Sequence, residues 1–383
     1  MQTEVCAPLF SNEGIYTMNK ITEITSIEQI QQLAKSGFTE WKGLGDVSVE
    51  RDGSLLIFNY TARAQYEGRW NFFERVSRGL IVHAVTGEIV ARAFDKFYNW
   101  LQNGEKTHGH IVSITEKMDG SLGILYRLNG EQRISTRGNF HSDQAEWATK
   151  FLHEHYNLDD LPDELTLLFE IVYPENRVIV DYKGREDIVL IAARNRFTGA
   201  YLPFFPDLQL LADKYGFPLP KVYSFNNITE IIALTGKLDK DEEGFVVEFS
   251  DGQRFKFKGD KYLELHRLVF SLSFKNTLQA IVTKQVDYIR EQIPDEFSAN
   301  FKGWVKEIED TRERIKREVA DIFAQAPKQA RKDFAIWVMS NHKHLSAYLF
   351  AMLDGEDIEA LIYKKAFENR PNEMAVKQSE NTA

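Results

Sequence analysis

One amine, flanking carboxylates and a glycine crowd into eight residues, Glu116-Lys117-Met118-Asp119-Gly120-Ser121-Leu122-Gly123. A lysine with an ordinary pKa near 10.4 is uncharged in only about one molecule in a thousand at neutral pH. A nucleophilic lysine therefore needs surroundings that disfavour its ammonium form. The run Ile111-Val112-Ser113-Ile114-Thr115 before it is β-branched, and Leu122-Gly123-Ile124-Leu125-Tyr126 after it is apolar, so Lys117 is expected near the junction of two strands. Two readings fit Lys117-Met118-Asp119-Gly120 taken alone: a reactive lysine at a strand end, or a hairpin in which Asp-Gly makes the turn.

Other residues bear on the choice. Leu167-Leu168-Phe169-Glu170-Ile171-Val172-Tyr173 places one carboxylate inside an apolar strand, where a charge costs several kcal/mol unless it is paired or meets a ligand. Glu242-Glu243-Gly244-Phe245-Val246-Val247 puts acid just before another strand. In Arg254-Phe255-Lys256-Phe257-Lys258 the alternation sets Lys256 and Lys258 on one face and the phenylalanines on the other. Two lysines on one face repel unless an anion sits between them, and phosphate is the natural one. Each feature also has a plain reading: Glu170 in a structural ion pair, Glu243 as a strand-entry charge, the lysines as the solvated side of a strand.

Taken together and in this order, these residues resemble the RNA ligases of the bacteriophage tRNA-repair type, members of the covalent nucleotidyltransferase superfamily, from about residue 40 to 270. The nucleophile motif matches Lys117-Met118-Asp119-Gly120, and later motifs match Phe169-Glu170, Glu243-Gly244-Phe245-Val246-Val247 and Lys256-Phe257-Lys258. Ser77-Arg78-Gly79-Leu80-Ile81 and Phe94-Asp95-Lys96-Phe97-Tyr98-Asn99 are similar to upstream elements of the RNA-ligase branch, as is the Lys261-Tyr262-Leu263-Glu264 tail. Two departures stand out. Ile188 to Arg194 offers no aromatic ring to stack on a purine, and Arg137 occupies the place where the family carries a basic residue, with a geometry unlike that of lysine.

The resemblance implies an α+β fold: a nucleotidyltransferase (ATP-grasp-like ligase) domain of antiparallel sheets with flanking helices over residues 1–270, N-terminal extension included, then an all-helical C-terminal domain over 271–383. It implies an ATP-dependent RNA ligase working through lysyl-adenylate and AMP-RNA intermediates to join 5′-phosphate and 3′-hydroxyl RNA ends, tRNA among the candidate substrates. Lys117, Lys256 and Lys258 would be catalytic. Glu116, Arg78, Lys96, Glu170 and Glu243 would join them around ATP, with Glu170 and Glu243 holding Mg2+ (or Mn2+) directly or through water. Arg137, Lys261 and Arg254 would contact RNA. Asp119 would orient Lys117 or fix the turn. Lys256, Lys258 and the cation would lower the pKa of Lys117 by like-charge repulsion, and burial would add to it.

Composition sets wider bounds. The 383 residues, 43% of them hydrophobic, suffice for a large core and a second domain, and no stretch is apolar enough to span a bilayer. One cysteine, Cys6, excludes an intrachain disulfide, and the first residues lack the pattern of a signal peptide; a soluble, cytoplasmic monomer is expected. His153-Glu154-His155 and His342-Lys343-His344 lack the spacing and cysteine partners of a zinc site. A net charge of −10 disfavours general coating of nucleic acid, so RNA contact is expected from a local groove around Arg254, Lys256, Lys258, Lys261 and Arg267. The cluster Arg312, Arg314, Lys316, Arg317, Lys328, Arg331 and Lys332 is interleaved with acids, the pattern of a solvated helix.

Thr25-Ser26-Ile27-Glu28 with Gln29 reads as a capping box, followed by an apolar stripe of Ile27, Ile30, Leu33 and Ala34 and closed by Gly37. Helices are expected at Asp143–His155 and Asp207–Tyr215 among the strands, then at Leu268–Ile293, Lys302–Ala326 and Asp333–Leu353, punctuated by Pro294 and Pro327, with a frayed tail from Pro371. DNA ligases and capping enzymes follow the last motif with a β-rich domain, a pattern missing after residue 270. They remain the alternatives, beside a non-catalytic protein that binds RNA ends.

Overall fold

The computed structural model describes residues 5–9, 17–68, 70–102, 107–225, 227–292 and 295–374, which fall into one compact unit up to Leu263 and a second from Glu264. In the first, strands β1 (Val5–Leu9) and β2 (Thr17–Ile21) pair antiparallel. The helix Ile27–Lys35 follows because Ser26 accepts from the Gln29 amide while the Gln29 side chain reaches back to the cap, and it buries Ile27, Ile30, Leu33 and Ala34. Gly37, at φ 77°, takes the left-handed turn beyond it.

Three four-stranded sheets build the rest of the unit. β3 (Val47–Asp52), β4 (Leu55–Tyr60), β5 (Arg78–His83) and β6 (Ile89–Ala91) lie side by side in chain order. The remaining strands are β7 (Tyr98–Asn99), β8 (Ile111–Glu116), β9 (Ser121–Leu128), β10 (Glu131–Ser135), β11 (Leu165–Val172), β12 (Asp187–Asn195), β13 (Gly244–Phe249) and β14 (Arg254–Lys258). They form a second sheet in the order β10-β9-β11-β12 and a third in the order β7-β14-β13-β8. Pairing is antiparallel throughout the three, except where β7 runs parallel to β14.

This topology corrects the hairpin reading of Asp119-Gly120. β8 and β9 are consecutive, yet β8 pairs with β13 in the third sheet and β9 with β10 and β11 in the second. Lys117–Gly120 is thus a crossing between two sheets. Gly120 is needed for closeness, since a Cβ there would lie 2.4 Å from the Ile171 carbonyl oxygen.

Side-chain alternation decides which sheet faces become core. The helix Asp143–His155 lays Ala148 and Leu152 on Leu125, Ile134, Leu167 and Phe169 of the second sheet. The other face of that sheet, through Ile124 and Leu168, packs on Leu55, Ile57 and Ile81 of the first. Ile114, Phe245, Val247, Phe255 and Phe257 of the third sheet bury one of its faces together with Ile231 of the helix Ile228–Thr235. Lys256 lies on the opposite face, directly across from Val246, which in turn pairs with Thr115.

The second unit is helical: Phe274–Val282, Val286–Gln292, Asp295–Gln325, Arg331–Asn341, Ser346–Leu353 and Ile358–Lys365 follow the helix Asp260–Ser271, within which the unit boundary falls. The single helix expected over Leu268–Ile293 is three. Ser273 accepts from the Asn276 amide and starts a new helix, and Lys284 at φ 59° interrupts the next. Lys302–Ala326 begins earlier, at Asp295, and Asp333–Leu353 is two helices separated at His342. Pro294 and residues 375–383 lie outside the described residues. The start of the expected frayed tail is held down: Phe274 donates to the Glu373 carbonyl at 2.8 Å, and Arg370 and Trp304 Nε1 both donate to the Glu373 carboxylate. No helix among the described residues is long and apolar enough to cross a membrane.

Gly244, which starts β13, has φ 141°, and a Cβ on it would lie 1.9 Å from the Phe257 carbonyl oxygen. Gly244→Ala is expected to cost roughly 2 kcal/mol or more and to lower the thermal midpoint by several degrees, because strain and overlap add. Gly130→Ala, at φ 84° with open space around it, should cost less in the same unfolding scan. Equal midpoints for the two variants would contradict this backbone.

Candidate active site

Lys117 leaves the end of β8 with its backbone amide bonded to the Gly244 carbonyl at 2.9 Å, which fixes the first turn of the crossing. Its Nζ donates to Glu243 Oε2 at 2.6 Å, and Lys258 Nζ lies 3.0 Å from Glu243 Oε1. Glu243 stands just before β13 and is 3% exposed, so one nearly dry carboxylate holds two ammonium groups from two strands. Burial pushes the Glu243 carboxyl up, but the two lysines together hold it below the ordinary carboxylate value.

The same pairing corrects the expectation that Lys117 has a lowered pKa. Burial does push it down, yet the Glu243 carboxylate first, then Glu170 and Asp119, hold the ammonium form above the ordinary lysine value in the protein alone. The lysine held well below that value is Lys256: burial is the largest cause, and Lys117, Arg78, Lys96 and Lys258 repel its charge. Lys256 is 7% exposed, sits 4.8 Å from the centre of the Phe97 ring, and has no carboxylate partner among the described residues. The plain reading of Lys256 and Lys258 as the solvated side of a strand therefore fails for both.

The crossing is clamped from the other side as well. The Gly120 amide donates to Glu170 Oε1 at 3.0 Å, and the Asp119 amide donates to the Tyr182 hydroxyl at 2.7 Å. Asp119 Oδ2 accepts from the Ile179 and Val180 amides, both at 2.8 Å, and Oδ1 accepts from the Tyr262 hydroxyl at 2.9 Å. Asp119 thus anchors the loop rather than making a hairpin turn. Burial, with Glu243 nearby, pushes its carboxyl up to about 6. Burial likewise pushes Glu170 up to about 7, against the attraction of Lys117 and with the repulsion of Glu243 and Asp119.

A second group of cations gathers around Tyr60, at the end of β4. Arg137 Nη1 donates to its hydroxyl at 2.9 Å and its guanidinium lies 4.8 Å from the ring centre. Lys96 Nζ donates to Gln65 Oε1 at 2.7 Å and lies 4.7 Å from the Trp70 ring centre. Burial, with Arg78 and Arg137 adding to it, lowers the Lys96 ammonium to about 8. Although burial pushes the Tyr60 hydroxyl up, Arg137, Arg78 and Lys96 outweigh it and bring the group to about 8. Arg78 Nη1 is buried without a hydrogen-bond partner. Cations that burial and mutual repulsion destabilise in this way form a ready site for a polyanion.

Other expected residues stand apart. Glu116 pairs with Phe245 and so has the parity of Ile114 and Phe245, which pack in the core; Thr115 has the parity of Val246, across from Lys256. Arg254 shares the face of Lys256 but is bonded to Glu248 at 2.6 Å. Lys261 is an exposed surface residue 3.2 Å from Asp239. In the second unit Arg312, Arg314, Lys316 and Arg331 pair with Glu313, Glu318, Glu359 and Asp354, as a solvated face would. Sequence reasoning does not find Tyr60, Tyr182 and Tyr262 as site residues: Tyr60 ends β4, Tyr182 lies in a loop and Tyr262 sits in the first turn of the helix Asp260–Ser271, so strand alternation gives no signal for them. Among the described residues no three His, Cys, Asp or Glu converge on one point, and both Glu243 oxygens are taken by lysines. The donor set fits a divalent cation held largely by water and phosphate near Glu170 and Glu243, not an all-protein cage.

Glu170 supplies a pH test. Its folded pKa is raised, so the native state binds the proton more tightly than the unfolded chain, and stability falls as pH rises from about 4.5 through about 7. Glu170→Gln, which keeps a neutral acceptor for the Gly120 amide, should melt higher than the wild type at pH 8 and at nearly the same temperature at pH 4.5. A variant that is less stable at pH 8 would contradict the raised pKa.

A family model described as RNA ligase matches residues 76–262. The chain is 31% identical over 249 residues to a provisionally named bifunctional polynucleotide kinase/RNA ligase of Autographa californica nuclear polyhedrosis virus, a match covering 56% of this chain and 35% of that one. It is 28% identical over 207 residues to a provisionally named RNA ligase of Thermovibrio ammonificans, covering 50% and 53%. With the RNA ligase of Rhodothermus phage RM378 it shares 24% over 390 residues, covering 80% and 86%. The chain thus spans about a third of the viral relative and half of the bacterial one. The matched segment runs from the helix before Arg78 to Tyr262 and holds the Lys117 crossing, Glu170, Glu243 and the lysines of β14. Over residues 76–262 the chain is thus similar to the RNA ligase family.

Proposed function

We propose that the chain is an ATP-dependent RNA ligase that joins 5′-phosphate and 3′-hydroxyl RNA ends by way of an adenylate bonded to Lys117. The observation that carries this reading is the meeting of Lys117, Glu243 and Lys258 within 2.6 and 3.0 Å, beside a buried Lys256 without a carboxylate partner. ATP brings the anion this cluster lacks. Its phosphates, with Mg2+ or Mn2+ near Glu170 and Glu243, would draw Lys258 and Lys256 to themselves and compete for the Glu243 oxygens. The divalent cation supplies charge neutralisation on the phosphates.

Once Lys117 is released from Glu243, burial and its cationic neighbours favour the neutral amine. Nζ then attacks the α-phosphorus: an N–P bond forms, the bond to the bridging oxygen breaks, and pyrophosphate leaves carrying the electron pair. The proton leaves Nζ, and Glu243 is the nearest acceptor in the structure. Arg78 and Lys96 would hold the outer phosphates as they depart, a reading supported by the gathering of Lys96 and Arg137 on the Tyr60 hydroxyl. AMP next passes to a 5′-phosphate RNA end, and a 3′-hydroxyl displaces it. Arg254 and Lys261 are the proposed RNA contacts.

The unit from Glu264 onward, helical among its described residues apart from the single bridge Ser273–Met374, favours this reading over a DNA ligase or capping enzyme, which would carry a β-rich domain there. We assign it, and the nucleotidyltransferase region as a whole over 1–270, to RNA recognition and adenylyl transfer respectively, with tRNA repair as the physiological setting. A monomer working in a reducing, cytoplasmic compartment fits the single cysteine.

Incubation with α-labelled ATP and Mg2+ followed by denaturing electrophoresis should leave label on the wild-type chain and none on Lys117→Ala. Lys256→Ala should lower the labelling rate by about two orders of magnitude or more, the scale of one lost charge-stabilising group. Label taken from GTP but not ATP would move the assignment to a capping enzyme, and labelling that survives Lys117→Ala would overturn the nucleophile.

A further inference from the structure

Along the site face of β14, Lys258, Lys256 and Arg254 follow one another at two-residue steps, roughly 7 Å apart. The row leads from the Glu243 ion pair to a cavity of about 380 Å³ whose lining includes Arg75, Lys96, Phe97, Tyr98, Tyr201 and Arg254. Asp95 is the one carboxylate in that lining, and it is already bonded to Arg194 at 2.9 and 3.0 Å. Arg75 is exposed, with no side-chain partner among the described residues, while its carbonyl accepts from the Lys96 amide at 2.8 Å and so ties it to the phosphate cluster. The Arg254 guanidinium lies 3.9 Å from the centre of the Tyr201 ring, and Tyr201 stacks on Phe94 with centroids 5.7 Å apart and planes at 22°.

Cations beside flat aromatic and guanidinium surfaces are what single-stranded nucleic acids bind, phosphate to charge and base to π-face. Lys258 and Lys256 are assigned above to the phosphates of ATP and the charge of Arg254 is met by Glu248 at 2.6 Å, which leaves Arg75 as the cation for a second phosphorylated nucleotide and the flat Arg254–Tyr201 wall for its base. We infer that this cavity seats the terminal nucleotide of the RNA strand that bears the 5′-phosphate, the strand that accepts AMP, with Arg75 and Arg254 as its phosphate and base contacts. The inference rests on the RNA-ligase reading for the identity of the strand; the charge and shape of the cavity stand without it.

The full-length chain can be titrated with two fluorescent single-stranded oligoribonucleotides of one sequence, one ending in 5′-phosphate and one in 5′-hydroxyl, with Lys117 labelling by ATP measured in parallel. The wild type should prefer the phosphorylated strand. Arg75→Ala should weaken that strand by roughly ten-fold, the order of one charge-assisted hydrogen bond, and leave the hydroxyl strand and ATP labelling unchanged. Arg75→Lys should restore part of the loss. Equal binding of the two strands by the wild type, an equal loss of both in Arg75→Ala, or a higher ATP requirement for labelling in that variant would each overturn the assignment. If the wild type takes no label yet shows the preference and loses it in Arg75→Ala, the ligase reading falls and the phosphate-end site stands.

Discussion

The site depends on one carboxylate, Glu243, that is almost dry and binds two ammonium ions from different strands. Removing a carboxylate and two ammonium groups from water costs several kcal/mol per ion, and only close mutual contact repays it. That contact requires the ends of β8, β13 and β14 to meet within hydrogen-bond distance. The left-handed Gly244 and its tight approach to the Phe257 carbonyl make the meeting possible. Replacing one partner would leave a buried charge unpaired, so the arrangement is stable only as a whole.

Around that carboxylate the chain holds Lys117, the proposed nucleophile, in a rigid crossing between two sheets. Five backbone amides, those of Lys117, Asp119, Gly120, Ile179 and Val180, and two tyrosine hydroxyls fix Lys117 through Gly120, so little of the lysine position is left to thermal motion. Charge is distributed unevenly. Lys258 is satisfied, while Lys256, buried, and Lys96, half-buried, have a lowered affinity for their own protons. Such a site is poised for a ligand that brings several negative charges at once, and its binding would free Lys117 from Glu243. In the proposed reaction, rest and turnover differ by which anion the lysines hold.

Much of this was legible in the sequence because strands alternate. The alternation of Arg254 to Lys258 placed Lys256 and Lys258 together, and a lone glutamate inside an apolar strand marked Glu170. The sign of the Lys117 shift was not legible. It turns on whether the nearest charge is Glu243 or Lys256, a matter of a few ångströms that residue order does not carry. The crossing between sheets was also hidden, since two consecutive strands with Asp-Gly between them read locally as a hairpin. Tyr262 and Tyr182 act through hydroxyls on Asp119, and nothing in their local patterns separates them from core aromatics. In the helical unit, Ser273 and a left-handed Lys284 cut an amphipathic stretch whose periodicity ran straight through them.

The direct test is the titration of the Lys117 side chain in the ligand-free protein, followed by NMR of a lysine-labelled sample and assigned by its loss in Lys117→Ala. With Glu243 beside it, Lys117 should keep its proton past the ordinary lysine value of 10.5, and in Glu243→Gln its pKa should drop as burial and Lys256 take over. A wild-type Lys117 that loses its proton well below 10.5, unchanged by Glu243→Gln, would contradict the account.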